Sequence, residues 1–172
     1  CNAIIDFDLP FWFFWIRLIL LITSFVALLA FGEHMLYRNE NQQVQWEIVW
    51  WLLLSYAISA TLIQWVFNLD DNSWRIGLDV LARYLLAIPG ALLASLALWR
   101  QRAFFLNGKL DDFVIWLDWA IVSILLYGVV GQLFPANSQV FPANLLNSNT
   151  FLSLFGFPIQ LFRAILACVI AI

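Results

Sequence analysis

Arg163 is the first residue in this sequence that needs a chemical explanation. It lies in the apolar run at residues 155–172, with Gln160 one helical turn before it. A charge at the centre of a bilayer costs about 2.5–3.5 kcal/mol on insertion scales, so Arg163 needs a partner. Asp118, in an earlier apolar run, falls at nearly the same depth if both runs are straight helices. The sequence predicts an Arg163–Asp118 pair, direct or bridged by Gln160 or water, which either fixes helix register or acts as a lock that can be broken.

A second group of charged residues lies in two other apolar runs. Asp79 and Arg83 are four residues apart, which places them on one face of a helix. Arg17 falls at a similar depth on the first apolar run. These three residues predict either a charged pocket that lines a water-filled vestibule, or long side chains that reach the membrane interface.

Residue types for catalysis or metal binding are sparse. His34 is the only histidine, whereas a metal or haem site needs several ligands. The sequence contains no G-x-S-x-G, no H-E-x-x-H and no phosphate-binding glycine loop. Catalysis within this chain, a bound metal and an organic cofactor are therefore not expected.

The composition places these charges in a membrane. The 172 residues are 64% hydrophobic and only 11% charged, with a mean hydropathy of +0.88. Soluble domains are about half apolar and about a quarter charged, so a soluble core of this size would not bury so much apolar surface. A bilayer solvates that surface, and the ten tryptophans are typical of membrane interfaces. A net charge of −3 without a basic patch argues against nucleic-acid binding.

Five apolar runs are long enough to form spanning helices, which need about 20 residues each. We number these spans 1 to 5, at residues 11–36, 45–67, 76–99, 113–133 and, starting at 151 or 155, to 172. The predicted fold is an all-α, polytopic membrane helical bundle with five transmembrane helices in a single domain. Small residues four apart on span 3, such as Ala91 and Ser95, predict close packing between helices.

Lysine and arginine in the links between spans predict the orientation. The 1–2 and 3–4 links hold Arg38, Arg100, Arg102 and Lys109, whereas the opposite side holds Arg75 alone. We therefore expect the first side to be cytoplasmic. The Pro- and Asn-rich 4–5 link then faces outward, and the C-terminus heads into the cytoplasm.

Three blocks of residues carry a resemblance to a known family. The most specific begins with Phe-Pro-Ala at 141–143 and ends with Gly-x-Pro-x-Gln-x-x-Arg-Ala at 156–164. The second reads Arg-Tyr-Leu-Leu at 83–86 and Pro-Gly-Ala at 89–91, and the third reads Leu-Ala-Phe-Gly-Glu at 29–33. In order and spacing, across most of the chain, these blocks resemble the multi-helix membrane sensor region at the N-terminus of bacterial signalling proteins.

The resemblance implies a place in a longer protein. In that family the region precedes PAS, GAF, histidine kinase or diguanylate cyclase modules, and further helices come before the part that matches span 1. The chain would then be the C-terminal part of a seven-helix sensor region in the bacterial inner membrane. It would form a homodimer through span 5 and relay a signal to a cytoplasmic output module in cis. The full-length protein would be a sensor histidine kinase or a diguanylate cyclase.

Two other functions stay open from the residues alone. A transporter or channel subunit would use the charges of Arg17, Asp79 and Arg83 to line a path through the membrane. An accessory subunit of a membrane complex would use its small-residue faces and tryptophans to pack against partners or lipid.

Overall fold

The computed structural model describes residues 11–36, 46–107, 111–136, 138 and 141–171. All regular elements within these ranges are helices, and four of them are long and apolar enough to cross a membrane. A bent pair of helices brings the number of spans to five. The predicted all-α membrane bundle is confirmed. Cys1, the 1–2 link at 37–43, Gln45 and Lys109 lie outside the described residues.

The described helices follow the predicted spans in order. Span 1 is α1, Phe11–Leu36, and span 2 is α2, Glu47–Phe67. Span 3 consists of α3, Asp71–Ala82, a π-helical turn, Arg83–Ala87, and α4, Ile88–Asn107. Span 4 consists of α5, Asp111–Leu125, a second π turn, Leu126–Val130, and α6, Gly131–Leu133. Span 5 is a bent pair, α7, Ser148–Phe155, and α8, Ile159–Ala171.

Span 3 extends well beyond the predicted 76–99 at both ends. Asp70 is its N-cap and accepts a hydrogen bond from the backbone N–H of Ser73 at 3.4 Å, so the helix begins inside the predicted link. Hydrogen bonds from the Ser73 hydroxyl and backbone N–H hold the pKa of Asp70 below its usual value. The 36 residues to Leu106 measure about 54 Å at about 1.5 Å each, so the span projects beyond a hydrocarbon core of about 30 Å.

A π turn in span 3 lies next to a proline. Pro89 has no N–H to donate, and just before it the hydrogen-bond pattern widens, with the N–H of Ile88 bonded to the carbonyl of Arg83. The helix continues through the proline as one span. The altered turn begins at Arg83, one of the charged residues that the sequence singles out.

Two glycines bring neighbouring helices into close contact with span 3. A Cβ on Gly128 of span 4 would overlap the Cβ of Ala91. A Cβ on Gly32 of span 1 would lie 2.7 Å from the backbone nitrogen of Ala94. Ala91 and Ala94 are fully buried and Ser95 is 3% exposed, which confirms the predicted close packing along this helix.

Glu33 joins span 1 to span 2. Its side chain is 2% exposed, and its carboxylate accepts hydrogen bonds from the backbone N–H groups of Ile48 at 3.0 Å and Val49 at 3.3 Å. These amides lie in the first turn of α2, where an α-helix has no internal acceptors for them. A carboxylate at this position also complements the helix dipole. The buried charge therefore stabilises the packing of the first two spans.

Span 5 is bent, so the straight helix assumed from the sequence is wrong. The axes of α7 and α8 meet at 84°. Gly156 ends α7 in the left-handed conformation, at φ +76°, and Pro158 immediately precedes α8. The ring of Phe151 packs at the bend, with centroids 5.1 Å from Phe134 and 5.6 Å from Phe157. The 13 residues of α8 measure about 20 Å, so α8 alone is shorter than a hydrocarbon core.

Candidate functional site

Four spans contribute polar side chains to one site near one end of the bundle. We call this group the polar cluster; its members are Arg17, Asp79, Arg83, Gln132 and Arg163. It lies where α1 begins and α6 ends, and this end is called the cluster end below. The site therefore depends on the packing of the bundle, not on any one segment of the chain.

Asp79 lies at the centre of the polar cluster. Its carboxylate accepts a hydrogen bond from Nε of Arg83 at 2.8 Å and another from Nη2 of Arg17 at 3.3 Å. The Asp79 and Arg83 side chains are 11% and 13% exposed, whereas that of Arg17 is 60% exposed. The structure thus brings together the three residues that the sequence placed at one depth, and it buries the Asp79–Arg83 pair.

Gln132 completes this network, and sequence reasoning missed it. Nη1 of Arg83 donates to Oε1 of Gln132 at 2.6 Å, and the glutamine is 3% exposed. The neighbouring Tyr84 hydroxyl donates to the carbonyl of Leu133 at 2.9 Å, which holds the end of α6 against span 3. The signal available in the sequence was a lone amide at the end of an otherwise apolar run, where a buried polar group requires a partner.

Arg163 contacts the end of span 4, and its predicted pairing with Asp118 is wrong. Its Nε donates to the carbonyl of Gly131 at 2.7 Å and its Nη2 to the carbonyl of Phe134 at 3.2 Å. The last carbonyls of a helix lack partners within it, so they are natural acceptors for a guanidinium. Because α8 begins only at Ile159, after the bend, Arg163 lies near the cluster end. Asp118 is 13 residues before Gly131, about 20 Å along the helix.

Asp118 has a different partner, in span 3. Its Oδ1 lies 2.9 Å from Nε of Arg102, and the two side chains are 44% and 39% exposed. Arg102 was assigned to a link, but α4 continues past it and brings it alongside α5. The predicted bridging role of Gln160 is also wrong, because its exposed side chain lies near Arg163 at the cluster end.

A cavity of ≈ 180 Å³ joins the two groups of residues that the sequence treated separately. It is lined by Arg17, Asp79, Arg83, Phe134, Pro135, Ala136, Ser148, Ile159, Gln160 and Arg163. Of the six residues predicted as switch candidates, five line this cavity, and Asp118 does not. The bend in span 5 causes this, because it brings Gln160 and Arg163 to the cluster end.

The cavity lining is positively charged. It contains the guanidinium groups of Arg17, Arg83 and Arg163, and Asp79 is the single carboxylate among the lining residues that the structure describes. Within the part of the chain that the structure describes, no three His, Cys, Asp or Glu side chains are grouped to hold a metal ion. The described lining offers guanidinium donors of the kind that bind carboxylate and phosphate groups.

Both π turns adjoin the polar cluster. The first begins at Arg83, and the second ends at Val130, next to the Gly131 carbonyl that accepts from Arg163. Such turns are found often at functional sites.

Comparisons of the chain with protein-family models, with curated proteins and with solved structures gave no match, so the resemblance to membrane sensor regions stays a prediction from the three sequence blocks.

Proposed function

We propose that this chain is the membrane-embedded input domain of a bacterial signalling protein, in which the polar cluster sets the position of α8. The observation that supports this is the double role of Arg163. Its guanidinium lines the cavity, and its side chain attaches α8 to two backbone carbonyls of span 4. A change in the cavity therefore acts directly on the last helix.

The surroundings of α8 support a movable helix. It packs against α5, the second π turn, α6 and α7. Residues 156–158 connect α8 to α7 and form a sharp bend at Gly156 and Pro158. In the proposal, this bend allows α8 to tilt relative to α7. In the proposal, a signal at the cavity alters the hold of Arg163 on the two carbonyls, and α8 tilts or shifts along its axis.

The output module and the orientation belong to the same proposal. Arg100 and Arg102 lie near the far end of span 3, toward which α8 runs, and the lysines and arginines of the 1–2 and 3–4 links favour a cytoplasmic location for that side. A histidine kinase or diguanylate cyclase module in the bacterial cytoplasm would receive the movement. Ala164 and Ala167 are exposed on α8, which supports a homodimer formed through this helix in the inner membrane.

The packing beneath the polar cluster favours a sensor over a transporter. Leu86 is fully buried about one turn beyond Arg83, Leu29 is fully buried about three turns beyond Arg17, and Ala91 meets Gly128 in close contact. Charges that line a transport path need a continuation across the bilayer, whereas this region is closed by apolar packing.

The test uses the full-length protein and replaces Arg163→Lys. Lysine keeps the positive charge but lacks the planar fork that donates to both carbonyls, so the hold on α8 weakens. We expect basal output, measured as kinase autophosphorylation or cyclic dinucleotide formation, to change by about fivefold or more. Arg100→Lys is the matched control, because Arg100 is exposed at the other end of span 3.

Two results would contradict the proposal. One is normal membrane yield with the same output as the wild type in Arg163→Lys. The other is an ion or solute flux in liposomes that is abolished by Asp79→Asn, since that result would assign the polar cluster to transport. A reading frame that stops soon after Ile172, with no output module, would also exclude the signalling function.

A further inference from the structure

We infer that the cavity in the polar cluster binds a small oxyanion, a carboxylate or a phosphate group. This inference names the ligand class of the proposed input site, and its role in signalling rests on the proposed function. The argument depends on the charge balance, on the hydrogen-bond donors and on the size of the cavity.

The charge balance favours an anion. Arg17, Arg83 and Arg163 supply three positive charges to the lining, and Asp79 supplies one negative charge, so two positive charges have no counter-charge among the described residues of the lining. The carbonyls that bind Arg163 are dipoles and do not neutralise it. Uncompensated charges at membrane depth are costly, and an anion that enters the cavity removes part of that cost.

The donors are arranged so that two arginines are available to a ligand. Arg83 uses all three of its nitrogens on Asp79 and Gln132. Arg17 donates through Nη2 alone to Asp79, and its side chain is 60% exposed. Arg163 donates through Nε and Nη2 to carbonyls, which leaves Nη1 without a hydrogen bond to the described residues. Arg83 therefore shapes the site, whereas Arg17 and Arg163 offer donors of the kind that bind carboxylate and phosphate.

The size of the cavity limits the ligand. A volume of ≈ 180 Å³ is below the about 300 Å³ at which pockets for drug-sized molecules begin. Ser148, the first residue of α7, also lines the cavity, so the positive end of that helix dipole adds to the field. The site thus fits one carboxylate or phosphate group, either of a small soluble acid or of a lipid headgroup that enters from the interface.

The test measures binding directly, without the signalling output. The chain is reconstituted in phosphatidylcholine nanodiscs, and sodium phosphate or sodium succinate is titrated calorimetrically at fixed ionic strength. We expect saturable binding of one anion per chain. Arg17→Gln should raise Kd by about tenfold or more, because it removes a charge-assisted hydrogen bond. Its exposed side chain makes this variant the one least expected to unfold.

A matched control separates the site from the general surface charge. Arg75→Gln removes the same charge from the same end of the bundle, but Arg75 does not line the cavity and its guanidinium lies over the ring of Phe14. We expect this variant to bind like the wild type. A second variant, Arg163→Lys, keeps the charge and should weaken binding less than Arg163→Gln does.

The source of the oxyanion is decided by a second arm with phosphatidylglycerol nanodiscs. If the soluble anions do not bind but phosphatidylglycerol raises the melting temperature in an Arg17-dependent way, the ligand is a lipid headgroup. The inference is overturned if neither occurs, or if Arg17→Gln and Arg75→Gln behave alike. Anion binding that leaves full-length output unchanged would refute the proposed function but not the site. Output changes in Arg163→Lys without anion binding would refute the site alone.

Discussion

Replacing Asp79→Asn should destabilise the bundle strongly. Among the described residues that line the cavity, Asp79 is the single carboxylate, and its buried pair with Arg83 has a separation of 2.8 Å between Nε and Oδ2. Asparagine has nearly the same shape, so the substitution removes the charge and leaves the packing intact. Arg83, with its side chain 13% exposed, then loses its counter-charge at a mostly buried position.

The expected loss can be worked from the two ion pairs of Asp79. Breaking a buried pair by removing one partner costs about 3–5 kcal/mol. The amide oxygen of asparagine still accepts a hydrogen bond, so we expect a loss at the lower end, about 3 kcal/mol. The pair with Arg17 adds about 0.5 kcal/mol or less, because the Arg17 side chain is 60% exposed. For a chain of this size the total of about 3–3.5 kcal/mol corresponds to a fall of about 6–14 °C in Tm.

The assay is thermal unfolding of the purified chain in one detergent, followed by circular dichroism or by tryptophan fluorescence. The double variant Asp79→Asn/Arg83→Gln removes both charges of the buried pair, and glutamine at 83 can still hydrogen-bond Gln132. We expect the double variant to recover a large part of the lost stability, giving a coupling energy of about 2 kcal/mol in a double-mutant cycle.

The matched control is Asp118→Asn, which also breaks an aspartate–arginine pair. That pair is about 40% exposed on both sides, and Arg102 can extend toward the membrane surface, so we expect a loss of about 1 kcal/mol or less. The reasoning is refuted if Asp79→Asn melts within about 2 °C of the wild type, or if both aspartate variants lose the same stability. Strict additivity of Asp79→Asn and Arg83→Gln would refute it as well.

Two further substitutions test the supports of the bend and of span 2. Phe151→Ala removes the central ring of the aromatic packing at the bend, where Phe151 is 2% exposed, and should lower the free energy of unfolding by about 3–5 kcal/mol. Phe141→Ala replaces a residue that is 73% exposed, so it should change the free energy of unfolding little in the same assay. Glu33→Gln should lower the free energy of unfolding by about 1–3 kcal/mol and speed amide hydrogen exchange at the start of α2. Glu47→Gln, at an exposed residue in the same turn, should have little effect, and equal exchange in the two variants would contradict the capping role of Glu33.

Apolar runs and small residues predicted most of the fold. Spans 1, 2 and 4 match their predicted bounds closely, because lipid-facing helices carry a long, continuous hydrophobic signal. Span 3 is longer than its apolar run since the Asp70 cap and the polar residues after Trp99 are also helical. Composition alone does not mark those ends, because polar residues continue a helix readily once it leaves the hydrocarbon.

The site was predicted in part. The grouping of Arg17 with Asp79 and Arg83 followed from depth along helices that are in fact continuous. The partner of Arg163 was predicted wrongly, because the depth of Arg163 was counted along a straight span 5. Gly156 and Pro158 bend that span. Such a bend redirects every residue after it, so a depth rule fails from that point onward.

Tertiary partners were the least predictable feature. Sequence spacing indicated that Gln160 and Arg163 share a face, but not which helix end their face meets. The partners of Glu33 could not be predicted for the same reason. They are backbone N–H groups at the start of α2, which no particular residue type marks in the sequence. Carbonyl and amide partners are supplied by any residue type, so they appear only once the helix ends are placed.

The glycine contacts distinguish two ways in which helices pack in this bundle. At Gly32 and Gly128, spans 1 and 4 approach span 3 so closely that an added Cβ would overlap atoms of span 3. At Gly131 the neighbouring atom is Cγ of Arg163, 3.4 Å from the position of a Cβ and belonging to a long, flexible side chain. Spans 1 and 4 thus pack on span 3 at the level of the backbone, whereas at Gly131 the contact with α8 is made by a long side chain, through which the proposed movement of α8 would act.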